Sequence, residues 1–170
     1  MIISIIISDM QKGLFIQHLS KSKEPNKHNN PWKKGAGFVI VDGPSASGKD
    51  TVIGQLLKDL KNLGLKAILI EETKEEKYDR KRILSAKDQG DKEVAKTIIE
   101  ERAKIYQEKV IPQLSKGTIV IANRGEPSTI SYQTLNELTM NDVWEMHRKE
   151  NIPLPDLAVI TNCSVEEAIR

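Results

Sequence analysis

The stretch Gly37-Phe38-Val39-Ile40-Val41-Asp42-Gly43-Pro44-Ser45-Ala46-Ser47-Gly48-Lys49-Asp50-Thr51 decides the fold of this chain. Residues 37–42 are apolar and largely β-branched, which reads as a short buried strand. Residues 43–51 spell G-x-x-x-x-G-K followed by Asp-Thr. Val52, Ile53, Leu56, Leu57, Leu60 and Leu63 then recur at the spacing of one helix face, closed by Gly64. Strand, glycine loop and helix in that order are the context in which backbone amides converge on phosphate oxygens. Gly43 and Gly48 permit backbone conformations that a β-carbon penalises, and the helix N-terminus adds partial positive charge. Lys49 reaches for the β- and γ-phosphates of a nucleotide such as ATP. Gly43, Ser45, Ala46, Ser47, Gly48, Lys49, Asp50 and Thr51 are therefore the candidate phosphate-binding residues.

Working outward, the 170 residues suffice for one domain with a core, and 38% hydrophobic and 29% charged residues are those of a globular rather than a disordered chain. A net charge of +2 gives no argument for nucleic acid or a membrane surface as partner. No apolar run approaches the ~20 residues of a membrane helix. The lone cysteine, Cys163, fits a reducing, cytoplasmic setting and reads as a small residue near a strand end. Residues 1–8 (MIISIIIS) lack the basic start and small-residue cleavage site of a signal peptide, so they read as an extra strand, pairing on a sheet edge or with a second copy. Residues 20–37 read as a polar linker, with His18 and His28 solvated and Trp32 anchoring it. The expected division is an extension and linker at 1–36, of no assigned function, and one domain at 37–170.

Beyond the loop, strands are expected at 66–70, 118–122 and 156–160. Residues 74–82 are a charged stretch, a solvated helix face or mobile loop. Helices are expected from 91 to near Pro112, over 127–138 with Pro127 in the first turn, over 141–149, and from a capping box at Ser164. Strands alternating with helices mean a parallel sheet covered on both faces, a three-layer α/β/α arrangement. Ligands of such sheets bind beyond the carboxyl ends of the strands. Each of those ends is polar: the loop at 43–51, Glu71-Glu72-Thr73, Asn123-Arg124, and Thr161-Asn162.

Several segments together resemble a family. The phosphate loop, Glu101-Arg102-Ala103 with Ile111-Pro112-Gln113-Leu114, Asn123-Arg124, Ser128-Thr129-Ile130-Ser131-Tyr132-Gln133, and Pro155-Asp156-Leu157 look like thymidylate kinases, which are P-loop nucleoside monophosphate kinases. The segment from Val120 to Gln133 resembles that family's D-R-[YH]-x-x-S-x-x-A-Y-Q pattern. The resemblance implies a P-loop NTPase fold and transfer of the γ-phosphoryl group of ATP, with Mg²⁺, to a thymidylate-like acceptor in nucleotide biosynthesis. It implies that Lys49 and Arg124 are catalytic, with Lys49 on the donor phosphates and Arg124 clamping the transferring group or the acceptor phosphate. It implies that Arg102, Ser128, Thr129, Tyr132 and Gln133 line the acceptor. A homodimer is a further implication, and the expected partners are small molecules.

The departures from the family carry their own expectations. Asp50 stands where Ser or Thr usually binds Mg²⁺, and Asn123 stands where an acid precedes the arginine. The two positions are expected to adjoin one Mg²⁺, with Asp50 supplying the anionic oxygen that Asn123 lacks; the alternative is that Asp50 merely caps the helix or sits near its positive end. Ser45 replaces an acid of the family's loop, and Glu71-Glu72-Thr73 brings no aromatic to stack on a base. The family's arginine-bearing lid and last strand are expected to be absent from residues 1–170, so that the chain is a fragment, or the lid function is missing or supplied elsewhere. The alternative functions are a kinase of a nucleoside or ribose phosphate, or a nucleotide-binding protein with a degraded site.

Overall fold

The structure, a computed structural model, describes residues 3–7, 32–76, 78–134, 138–164 and 166. Its centre is a five-stranded parallel sheet. From one edge to the other run β1 (Ile3–Ile7), β5 (Leu157–Thr161), β2 (Gly37–Asp42), β4 (Ile119–Asn123) and β3 (Ala67–Ile70). The N-terminal strand thus pairs on a sheet edge, with Ile3 opposite Leu157 and Ile7 opposite Thr161.

Alternation along β2 explains the layers. Successive side chains of a strand point to opposite faces. Phe38 and Ile40 join one buried cluster, with Val120 and Ala122 of β4 and with Ala95, Ile99 and Ala103 of the helix α3 (Asp91–Ile105). Val39 and Val41 join the other, with Ile121, Leu157, Val159 and the Ile53–Leu56–Leu60 stripe of α1 (Lys49–Asn62). Trp32 packs against the first cluster. Burying one such aliphatic side chain is worth roughly 2 kcal/mol, so the two faces together hold the sheet between helical layers.

Most expected elements are present, with differences at their ends. The charged stretch splits into a 3₁₀ turn, Glu72–Lys74, and α2 (Arg80–Ala86). Buried Glu101 of α3 accepts from Arg82 Nη1 at 2.8 Å, from Lys104 Nζ at 2.6 Å and from the amide of Asp79 at 3.3 Å, which pins that segment down. The helix expected to stop near Pro112 runs on. Pro112 has no N–H to give and its ring crowds the preceding turn. The helix accommodates this with a widened π-helical turn, Tyr106–Val110, before α4 (Ile111–Ser115). The helix expected over 127–138 is α5 (Glu126–Gln133), and α6 (Met140–Lys149) opens with a capping box of Thr139 and Asp142. His18, His28 and nearly all of the helix expected from Ser164 lie outside the described residues.

Candidate active site

The phosphate loop wraps the end of β2 because its backbone is left-handed where its glycines stand. Gly43 has φ +145° and Gly48 φ +81°. A β-carbon on Gly43 would lie 2.3 Å from Thr161 O, so this glycine answers to crowding as well as to conformation. Ser47 Oγ donates to Pro44 O at 2.8 Å and lies 2.6 Å from Thr161 Oγ1, which ties the loop to the end of β5. Ser45 and Ala46 are exposed, and Asp50 and Thr51 stand exposed in the first turn of α1. Lys49 is buried, and its ammonium folds back onto the loop, donating to Gly43 O at 2.9 Å and to Pro44 O.

Arg124 follows β4 with a left-handed backbone, φ 75°, and its amide donates to Val41 O at 2.9 Å. That turn sends the guanidinium over the loop. Its Nη1 donates to Gly43 O at 3.2 Å and to Ser128 Oγ at 3.1 Å, 3.7 Å from Asp42 Oδ1. Burial first, and then the nearby Arg124 charge, hold the Lys49 ammonium below its ordinary pKa.

Asp42 organises this corner and was not singled out from the sequence. Its carboxylate accepts from the amides of Gly43 at 2.7 Å, Gly125 at 3.1 Å and Ser128 at 2.9 Å, and from Ser128 Oγ at 2.7 Å. It therefore caps the start of α5 from a distant strand, where no local side chain does so. An acid directly before the first loop glycine was the available signal.

Asn123 Nδ2 donates to Asp50 Oδ1 at 3.1 Å and approaches Glu71 Oε1 at 3.4 Å. Asp50 makes no side-chain cap on α1, whose N-cap is Gly48. Two carboxylates thus flank the amide of Asn123, each accepting from its Nδ2. Among the described residues no group of three or more His, Cys, Asp and Glu could hold a metal ion. Mg²⁺ takes one or two protein carboxylates and completes its shell with phosphate and water, so the oxygens of Asp50 and Asn123, with Glu71 beside them, suit it chemically.

A cleft of about 280 Å³ opens between the ends of β3 and β4 and the helices α3 and α5. Arg102, Ser128, Thr129, Tyr132 and Gln133 all line it, as do Asn123 and Arg124. Tyr132 is 58% exposed and so is no core residue. The cleft also takes in Glu72, Tyr78 and Ile98, none of which the sequence reading named as a site residue. Tyr78 supplies an aromatic wall that residues 71–73 lack, and it was hidden within a charged stretch.

Arg102 is 2% exposed and forms the hub of the cleft's inner wall. Its Nε donates to Glu72 Oε1 at 2.7 Å, and its Nη1 to Thr129 Oγ1 at 3.0 Å and to His147 Nε2 at 2.9 Å. Burial works against the Arg102 charge, but Glu72, Tyr106 and Glu126 together outweigh it, so the guanidinium stays charged. Beside it, the carboxyl oxygens of Glu126 are buried and have no hydrogen-bond partner among the described residues. Burial pushes the Glu126 carboxyl up to about 7, against the pull of Arg102. His147 lies on the buried face of α6, one turn after Val143; that i, i+4 spacing was its only sequence signal.

The thymidylate kinase family model matches residues 41–170. A thymidylate kinase of Leptospira borgpetersenii is 30% identical over 123 residues, 71% of this chain and 60% of the relative. A probable thymidylate kinase of Archaeoglobus fulgidus is 26% identical over 133 residues, 78% of this chain and 67% of the relative. A thymidylate kinase of Brachyspira hyodysenteriae is 28% identical over 136 residues, 78% of this chain and 66% of the relative. The chain thus spans about two thirds or less of the length of these relatives.

Proposed function

The chain belongs to the thymidylate kinase family, and on that footing we propose that it transfers the γ-phosphoryl group of ATP to a nucleoside monophosphate, with dTMP as the leading acceptor. A phosphate oxygen of the acceptor attacks the γ-phosphorus, the bond to the β,γ-bridging oxygen breaks, and ADP leaves. The observation that carries the reading is the meeting of two cations at one end of a cleft that charged and polar residues line. Lys49 and Arg124 share Gly43 O, and the cleft that starts at Arg124 runs on to Arg102 and Gln133. Phosphoryl transfer is catalysed mainly by positioning and by neutralising the equatorial oxygens, which is work for such cations.

In this reading the loop amides of residues 43–51 and Lys49 hold the donor phosphates. Arg124, planar and bidentate in its donors, clamps the transferring group. Arg102, Ser128, Thr129, Tyr132 and Gln133 face the acceptor, with Tyr78 as the aromatic surface for its base. Asp50 and Asn123 would hold Mg²⁺. When bound, that ion supplies positive charge to the β- and γ-phosphate oxygens. Homodimer formation and work in a reducing cytoplasm complete the reading, the latter supported by the lone Cys163.

The test is ADP production from Mg-ATP against a panel of dTMP, other nucleoside monophosphates, nucleosides and ribose phosphates, with Lys49→Ala as control. Turnover that needs dTMP and Lys49 is the expected result. Turnover with a nucleoside or ribose phosphate alone would replace the acceptor class, and ATP binding without any transfer would make the chain a nucleotide-binding protein.

A further inference from the structure

We propose that His147 is a positioning residue for the acceptor: its imidazole lone pair fixes the plane in which Arg102 meets the acceptor's base. The inference rests on the reading that Arg102 faces the acceptor. Its basis is a set of hydrogen bonds whose directions have no freedom. A guanidinium has only donors and a backbone carbonyl only accepts. Arg102 Nη1 lies 2.9 Å from His147 Nε2, and His147 Nδ1 lies 2.8 Å from Val143 O. Nδ1 must therefore carry the proton and Nε2 the lone pair. The ring is neutral, in keeping with burial and Arg102 driving its pKa down to about 4.

Two features make this contact more than core packing. The guanidinium is held from separate elements: by Glu72 after β3, by Thr129 on α5 and by His147 on α6. Removing one of these acceptors leaves a charged donor with one fewer fixed direction. In addition, His147 lines a second cavity of about 290 Å³ with Trp144, Arg148, Ile152 and Leu154, and Arg102 is not among its lining residues. His147 thus stands between that cavity and the Arg102 hub, and truncating it gives Arg102 room to turn away from the acceptor cleft.

The experiment measures binding of dTMP and of Mg-ADP by calorimetry to the full chain, to His147→Leu and to His147→Gln, with thermal unfolding of each. His147→Leu is expected to bind dTMP about tenfold more weakly, near the net worth of one hydrogen bond to a charged group, with Mg-ADP binding unchanged. His147→Gln, whose side-chain oxygen accepts as Nε2 does, is expected to recover most of the loss. Equal dTMP affinity in parent and Leu variant, or equal losses for both ligands, overturns the proposal. If the Leu variant does not fold, long-range ¹⁵N spectra of the parent decide it. A protonated Nδ1 with an Nε2 resonance that moves on adding dTMP is expected, and a protonated Nε2 or an unmoved resonance overturns it. A parent that binds Mg-ADP but no dTMP refutes the acceptor reading itself and this proposal with it.

Discussion

Lys49 and Arg124 donate to the same backbone oxygen, Gly43 O, at 2.9 and 3.2 Å. Two cations so placed repel each other, and the loop carbonyls and Asp42 hold them together. Phosphate oxygens arriving between them would replace those carbonyls as partners. Arg124→Ala is expected to lower kcat about 10³-fold, and Arg124→Lys to recover little, since an ammonium lacks the planar fork. The Lys49→Ala, Arg124→Ala double variant is expected to lose much less than the product of the single losses, because the two act on one group. Independent, multiplicative losses in steady-state kinetics would refute the shared role.

The Asn123–Asp50 contact predicts how the nucleotide site depends on Mg²⁺. Asp50→Ala is expected to raise the Mg²⁺ concentration for half-maximal turnover about tenfold, as loss of one anionic oxygen ligand should. Asp50→Ser, with a neutral oxygen at the same place, is expected to fall between. An Asp50→Ala protein with the parent's Mg²⁺ titration curve would show that this carboxylate serves only the positive end of α1.

The two loop glycines are predicted to differ in what they tolerate. On Gly43 a β-carbon meets Thr161 O at 2.3 Å and Thr161 Oγ1 at 2.4 Å, whereas on Gly48 it meets nothing within 4 Å among the described residues. Gly48→Ala is therefore expected to cost only the ~1–2 kcal/mol of a left-handed non-glycine residue. Gly43→Ala adds overpacking against a strand end and is expected to cost about 3 kcal/mol or more. Urea unfolding of both variants checks the order, and equal costs would contradict it.

Glu126 and His147 are predicted to tilt stability in opposite directions with pH. The folded pKa of Glu126, about 7 against an ordinary 4.5, means that the folded state binds the extra proton between those values. Stability is lost there as pH rises, by up to about 3 kcal/mol. The folded pKa of His147, about 4 against 6.5, means that the unfolded state binds the extra proton, so stability is lost as pH falls through that window. The two slopes oppose each other between pH 4.5 and 6.5. Glu126→Gln is expected to gain on the parent from pH 4.5 to about 7, to level off above that, and to expose the acid-side loss. A stability difference that does not change with pH in denaturant titrations would refute this.

The sequence by itself determined the central strand, the phosphate loop and the sheet's parallel arrangement. Those features are local: an unbroken, largely β-branched apolar run along Phe38–Val41, glycines where φ turns positive, and helix stripes with caps. Arg102 and the Ser128–Gln133 segment stood out as well, through the resemblance of their residues to segments of a known family. Their surroundings did not. The partners of Arg102 lie 30, 27 and 45 residues away, on elements whose packing brings them together, and no local pattern in the chain encodes that meeting. The same holds for Asp42 capping α5 across 86 residues, and for Tyr78, which enters the cleft because Glu101 pins its neighbour Asp79 and the start of α2 to α3. Backbone conformation answers to neighbours in sequence. The directions of buried hydrogen bonds answer to neighbours in space, and only the tertiary structure decided them.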